Sequence, residues 1–116
     1  MSATVAILTV SDRAAAGIYE DKGGPAIEAW LRGAVTSALV IHRQIVPDGR
    51  ESVAAAFRHW ADEGGADLIL ATGGTGPSPR DLTPEAMGDV VERHFPGFGE
   101  LMRAVSLREV PTAILS

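Results

Sequence analysis

The sequence predicts an α/β domain in three layers, an αβα sandwich with a mostly parallel sheet packed between helices. Two observations carry that expectation. Val5 to Val10 is β-branched and aliphatic at odd and even positions alike, which suits a strand covered on both faces. Beyond it, apolar runs of strand length alternate with segments of helical periodicity, and strand, helix, strand, helix, strand, helix is the grammar of layered α/β domains. A chain of 116 residues fits one such domain, spanning 1–116, with no room for two independent cores.

Taken in order, Val5–Val10 is the first strand and a polar turn runs from Ser11 to Gly24. Pro25 suits a first helical position, and Ile27, Trp30, Leu31 and Ala34 recur at helical spacing as a core-facing stripe. Leu39 to Val46 reads as a second strand, ended by Pro47. Asp48-Gly49-Arg50-Glu51 has the spacing of a capping box, and Val53, Phe57 and Trp60 form the apolar stripe of the helix it would open. Gly64 and Gly65 stop that helix, and Asp67 to Ala71 supplies a third strand. Thr83-Pro84-Glu85 then gives a cap, a proline at the first helical position and an acid in the first turn, followed by the stripe Met87, Val90, Val91, His94. Pro96-Gly97 interrupts the pattern, and Phe98, Leu101, Met102 and Val105 resume it as a short helix. Val110 to Leu115 reads as the start of a further strand. There is no internal repeat or low-complexity stretch.

Composition removes several classes of function. A formal charge of −5 argues against a sequence-independent grip on nucleic acid or anionic lipid, which needs clustered Lys and Arg. The absence of Cys removes thiol nucleophiles and thiolate metal sites. The apolar start is too short for a signal-peptide core, and no apolar run approaches the roughly 20 residues that cross a bilayer, so the expected location is cytoplasmic. His42, His59 and His94 are scattered without ligand spacing, and Ser11, Ser106 and Ser116 lack the context of a nucleophile elbow.

Ligands of open α/β sheets bind beyond the carboxyl ends of the strands, where loops meet helix N-termini. Three polar loops fall there: Ser11-Asp12-Arg13, Pro47-Asp48-Gly49, and Thr72 to Asp81. In the last, Thr72-Gly73-Gly74-Thr75-Gly76 sets three glycines among two hydroxyls, so that backbone N–H groups can approach phosphate oxygens unobstructed. It is neither a Walker A loop nor the dinucleotide fingerprint, and glycine spacing alone also describes a plain strand-to-helix turn. Pro77-Ser78-Pro79-Arg80-Asp81 stiffens the continuation and adds a guanidinium suited to phosphate and a carboxylate suited to Mg²⁺. Arg80 reads equally as a solvated surface charge. Asp48 is accounted for as a helix cap, and its place at the end of a neighbouring strand also lets it share a magnesium–triphosphate complex with Asp81; Asp12 is a further acid at the end of the first strand.

Four ordered motifs, LTVSDRAAAGIYEDKGGPAI, VPD at 46 to 48, TGGTGPSPRDLTPEA and PGFGELMRAVSLREVPTAILS, resemble the molybdopterin adenylyltransferases of molybdenum-cofactor synthesis, the family of bacterial Mog proteins and the gephyrin G domain. The resemblance covers nearly the whole chain. It implies transfer of an adenylyl group from ATP to the terminal phosphate of molybdopterin, with Mg²⁺ and release of pyrophosphate, by a homotrimer that hands its product to a molybdate-insertion enzyme. It makes Asp48 and Asp81 the catalytic pair and the Mg²⁺ ligands, and Thr72, Gly73, Gly74, Thr75 and Gly76 the ligand loop. Ser11 and Asp12 fall in a neighbouring part of the pocket and Ser116 at a substrate-binding serine; Arg80 joins the phosphate-binding residues on the chemistry of its guanidinium alone. Family members continue for several tens of residues past the segment matching Thr112 to Ser116, so the expectation is one domain lacking the family's C-terminal portion. The chemistry agrees with the residues: a phosphate nucleophile needs no strong base, and the protein's task is positioning and charge neutralisation. The alternatives are a non-catalytic molybdopterin-binding module or scaffold, and a related nucleotide pyrophosphatase.

Overall fold

The central element is a nine-residue strand, β1 (Ser2–Val10), in the computed structural model of the chain, which describes residues 2–116. It pairs in parallel with β2 (Ala38–Val46) on one side and β3 (Leu68–Thr72) on the other, giving the order β2-β1-β3. A short helix, α1 (Asp12–Ala15), follows β1, and α2 (Gly23–Ala34) crosses over to β2. Helix α3 (Arg50–Arg58) and a π-helical turn (His59–Glu63) lead to β3; α4 (Thr83–Val90), α5 (Pro96–Leu107) and a 3₁₀ turn (Pro111–Leu115) complete the chain.

The two parities of β1 serve two cores, which is why the strand is apolar throughout. Val5 and Ile7 pack with Leu31 and Ile27 of α2 on one face of the sheet. On the other, Leu8 and Val10 pack with Val53, Ala54 and Phe57 of α3 and Ala86 of α4. The fold is therefore the expected three-layer αβα sandwich, with all three strands parallel. Ile7, Leu8 and Val53 are fully buried, each contributing about 1.5–3 kcal/mol by its removal from water.

Several local expectations are corrected. Helix α2 begins at Gly23, two residues before Pro25, and Trp30 lies on its solvent side, 69% exposed, rather than in the core. The capping box at Asp48 does not form: α3 starts at Arg50 behind Gly49, with no side-chain cap, and the Asp48 carboxylate turns one oxygen to Asp12 N–H instead. Thr83 is likewise not a cap, since α4 starts at Thr83 itself and its hydroxyl donates to the Gly73 carbonyl at 2.9 Å. Helix α4 ends at Val90, which leaves Val91 and His94 beyond it. Trp60 falls on the π-helical turn, half-buried; its indole N–H donates to Gln44 Oε1 at 2.7 Å and its ring stacks on His42. Helix α5 forms as expected, yet Phe98, Leu101, Met102 and Val105 are exposed. Val110 to Leu115 is no strand: Pro111 has no N–H to give a ladder, and the segment closes on itself through Ala113 N–H to the Val110 carbonyl.

Candidate active site

All three strands point their carboxyl ends the same way, so the loops after Val10, Val46 and Thr72 converge. The first two are locked together. Ser11 N–H donates to the Val46 carbonyl at 2.8 Å. Asp12 N–H donates to Asp48 Oδ2 at 2.9 Å, and Asp48 N–H returns a bond to Asp12 Oδ1 at 3.1 Å. This reciprocal clasp engages Asp48 Oδ2 and leaves Oδ1 free of it.

Arg80 brings the third loop to the clasp. Its Nε donates to Asp12 Oδ2 at 2.6 Å and its Nη2 to Asp12 Oδ1 at 3.0 Å, while Nη2 also reaches the Asp48 carbonyl at 2.6 Å. The side chain is thus one half of a bidentate ion pair, still largely exposed on the cavity side. The hydrogen bond from Arg80 holds the Asp12 carboxyl below its ordinary value, against a smaller opposing effect of desolvation, and the same bond raises the Arg80 guanidinium.

The glycine-rich loop is shaped by two residues with positive φ, Gly73 at 95° and Gly74 at 68°. A Cβ on Gly73 would be driven into the Val10 carbonyl of the central strand, and one on Gly74 into the Thr83 hydroxyl. Only glycine lets the loop lie this close to β1. Thr83 fastens it, with its hydroxyl on the Gly73 carbonyl and its N–H on the Gly74 carbonyl at 3.1 Å.

A cavity of about 570 Å³ opens over these loops and is lined by Ser11, Asp12, Tyr19, Asp48, Arg80 and Asp81, among others. Five of the residues singled out in the sequence therefore share one hollow. Thr72 and Gly73 line a second depression of about 260 Å³ with Thr9, Ser11, Tyr19 and Lys22. Thr75 and Gly76 line a third of about 230 Å³ with Ser116, Thr112 and Pro77. Gly74 lines none of the three, and a Cβ there would also lie 3.2 Å from Asp48 Oδ1. Tyr19, Asp21 and Lys22 went unassigned in the sequence. Asp21 accepts from the Thr9 hydroxyl at 2.9 Å and from Gly24 N–H at 3.2 Å; its position three residues before Gly24, ahead of a helix, was the available signal.

Asp48 Oδ1 is buried and has no hydrogen-bond partner, an expensive state for a carboxylate oxygen. Asp81 Oδ2 accepts only from Ser78 N–H, at 3.2 Å. Among the described residues, no group of three or more His, Cys, Asp and Glu side chains could hold a metal ion by itself. Mg²⁺ needs no such cage, since it takes one or two carboxylates and completes its shell with water and substrate phosphate. An oxygen-only donor set with one orphaned carboxylate oxygen fits that demand.

Comparison with known proteins agrees with this geometry. The family described as "Probable molybdopterin binding domain" matches residues 6–116. The chain is 46% identical over 112 residues to the molybdopterin adenylyltransferase of Haemophilus influenzae, covering 97% of this chain and 57% of that protein. It is 47% identical over 112 residues to the molybdopterin adenylyltransferase of Helicobacter pylori, covering 97% and 64% respectively. The chain thus spans somewhat more than half the length of these curated relatives. Among solved structures, the molybdopterin biosynthesis enzyme MoaB of Thermus thermophilus superposes with a TM-score of 0.84 at 42% identity, covering 97% of this chain and 70% of that one. The Mog protein of Mycobacterium ulcerans gives 0.86 at 36% identity, covering 98% and 72%. With a match across nearly its whole length and a shared fold, the chain belongs to the molybdopterin-binding domain family of molybdenum-cofactor synthesis.

Proposed function

We propose that the chain serves Mg²⁺-dependent adenylyl transfer from ATP to the terminal phosphate of molybdopterin. A phosphate oxygen of the pterin forms the new bond to the α-phosphorus of ATP, the bond from that phosphorus to the bridging oxygen breaks, and pyrophosphate leaves with the electron pair. The observation that supports this reading best is the convergence of Asp48, Asp81 and Arg80 on one cavity beside a glycine-rich loop, with one oxygen of Asp48 buried and unpartnered. Asp48 and Asp81 would hold Mg²⁺, which supplies charge neutralisation at the phosphates. Arg80 orients Asp12 and, through the Asp48 carbonyl, fixes the backbone that carries Asp48. Thr72 to Gly76 and Ser11 bind phosphate and pterin, and Ser116 binds substrate beside Thr75 and Gly76. No residue need act as a strong base, because the attacking group is already an anion.

The same reading makes the working unit a cytoplasmic homotrimer that passes its product to a molybdate-insertion enzyme. Among the described residues, no helix is long and apolar enough to cross a membrane. Incubation with ATP, Mg²⁺ and molybdopterin is expected to release pyrophosphate and adenylylated pterin, and Asp81→Asn to slow this by about 100-fold or more, the scale of losing a charge contact made in the transition state. Full turnover by Asp81→Asn would remove Asp81 from the mechanism. Pterin binding without pyrophosphate release would favour a non-catalytic binding module.

A further inference from the structure

Tyr19 is the chain's single tyrosine, and it stands where two cavities meet. It lines both the acidic hollow above Asp48 and the adjoining depression of Thr72 and Gly73, and it is the one aromatic side chain among the described residues lining either. It is 48% exposed, so its ring is available to a ligand. Yet it is not a loose surface residue. Its hydroxyl lies 3.0 Å from Ser11 Oγ, and Ser11 in turn accepts the Ala14 N–H at 3.2 Å as the cap of α1. The polar end of the ring is thereby fixed to the end of the central strand.

Apart from Ile18 and Val10, the other side chains around these hollows are polar or charged: carboxylates, guanidinium groups, hydroxyls and an ammonium. Such groups grip phosphates, and they give no means of telling one phosphate ester from another. Both substrates of the proposed reaction carry a planar heterocyclic ring, whose faces an aromatic side chain can cover favourably by stacking. Resting on that functional reading, we propose that Tyr19 is a specificity-determining residue on which the planar ring of a substrate, the adenine of ATP or the pterin, stacks at the junction of the two cavities. The Ser11 tether orders the ring in advance, so little rotamer freedom is lost when a ligand arrives. The adjacent Ile18, also lining the larger hollow and largely exposed, extends the apolar edge of the platform.

A single tyrosine makes the test direct. The protein labelled with fluorotyrosine gives one fluorine NMR resonance, which is followed during titration with Mg²⁺–ATP, with molybdopterin, and with inorganic tripolyphosphate. A saturable shift with one ring-bearing ligand and none with tripolyphosphate is expected; the ligand that moves the resonance identifies the ring. Tyr19→Leu should weaken that ligand by roughly 5- to 150-fold, the range of a lost base–aromatic stack, with tripolyphosphate binding and melting temperature unchanged. Tyr19→Phe, which keeps the ring, should retain affinity within about threefold. The proposal is overturned if Tyr19→Leu binds both ring-bearing ligands like the wild type, or if tripolyphosphate moves the resonance equally. Should the wild type release pyrophosphate while Tyr19→Leu keeps its KM for both substrates, only the role of Tyr19 falls. If the wild type neither binds ATP nor releases pyrophosphate, the adenylyl-transfer reading falls and takes this one with it.

Discussion

Replacing Gly73 by alanine separates the two ways in which a glycine can matter in the glycine-rich loop. At a φ of 95° any other residue is strained, and the new Cβ is also forced against the Val10 carbonyl of the buried central strand, which has no flexible end to yield. The conformational part costs about 1–2 kcal/mol. The clash adds about 1–3 kcal/mol, as overpacking in a core does. For 116 residues, with an unfolding entropy near 2.1 cal/mol/K per residue, each kcal/mol lowers the melting temperature by about 4 °C. Gly73→Ala should therefore melt about 8–20 °C below the wild type. Gly17→Ala is the control: its φ is 74°, with nothing within 4 Å of the new methyl group, so only the first cost applies and the fall should be about 4–8 °C. Gly88→Ala, inside α4 with the same open space and no positive φ, should instead gain about 0.5–1 kcal/mol. Thermal unfolding of the three variants at one pH checks the series. Equal melting of Gly73→Ala and Gly17→Ala would refute the claim that the loop is held by its close approach to β1.

Three further outcomes follow from the same geometry. Gly76→Ala meets only Asp81 Oδ2, 2.9 Å from the new Cβ and at the end of a movable side chain; its melting point should stay within about 3 °C of the wild type while turnover drops about tenfold or more from a displaced carboxylate. The Asp12 carboxyl, held down by Arg80, should titrate by NMR below 3.8 and return towards it in Arg80→Gln. Because that native pKa is depressed, the clasp stabilises the fold fully above the ordinary Asp value and is lost as pH falls through the native one, so urea midpoints at pH 6 and pH 3 should differ less in Asp12→Asn than in the wild type. Ser116→Ala, set beside Thr75 and Gly76 and outside the hollow that Asp48 and Asp81 line, should raise KM for molybdopterin and leave kcat within about twofold, the signature of lost uniform binding.

The layers of the fold were legible because β1 is apolar at both parities, and only a strand sandwiched between helices satisfies that pattern. Trp30 and the stripe of α5 misled for a related reason: periodicity reports that a helix has an apolar face, not what covers it. Tyr19 carries no spacing signal at all, since a lone tyrosine in a turn gains meaning only from Ser11 and Gly73 beside it in space. The two failed caps are the most informative errors. Asp48 and Thr83 both have the right residue type at the right offset, and a local cap is worth about 0.5–2 kcal/mol. Each is outcompeted by a partner distant in sequence, Asp12 at 36 residues and Gly73 at 10. The chain forgoes two local caps, and in return the clasp joins β1 to β2 and the hydroxyl of Thr83 pins the glycine loop. It also leaves α3 and α4 opening without side-chain caps directly after Asp48-Gly49 and Asp81-Leu82. At α4 the first N–H, that of Thr83, donates to the Gly74 carbonyl, so the helix start is fastened to the glycine loop through its backbone as well as its hydroxyl. The two places where a local cap gives way are thus places where loops around the cavity are tied to one another.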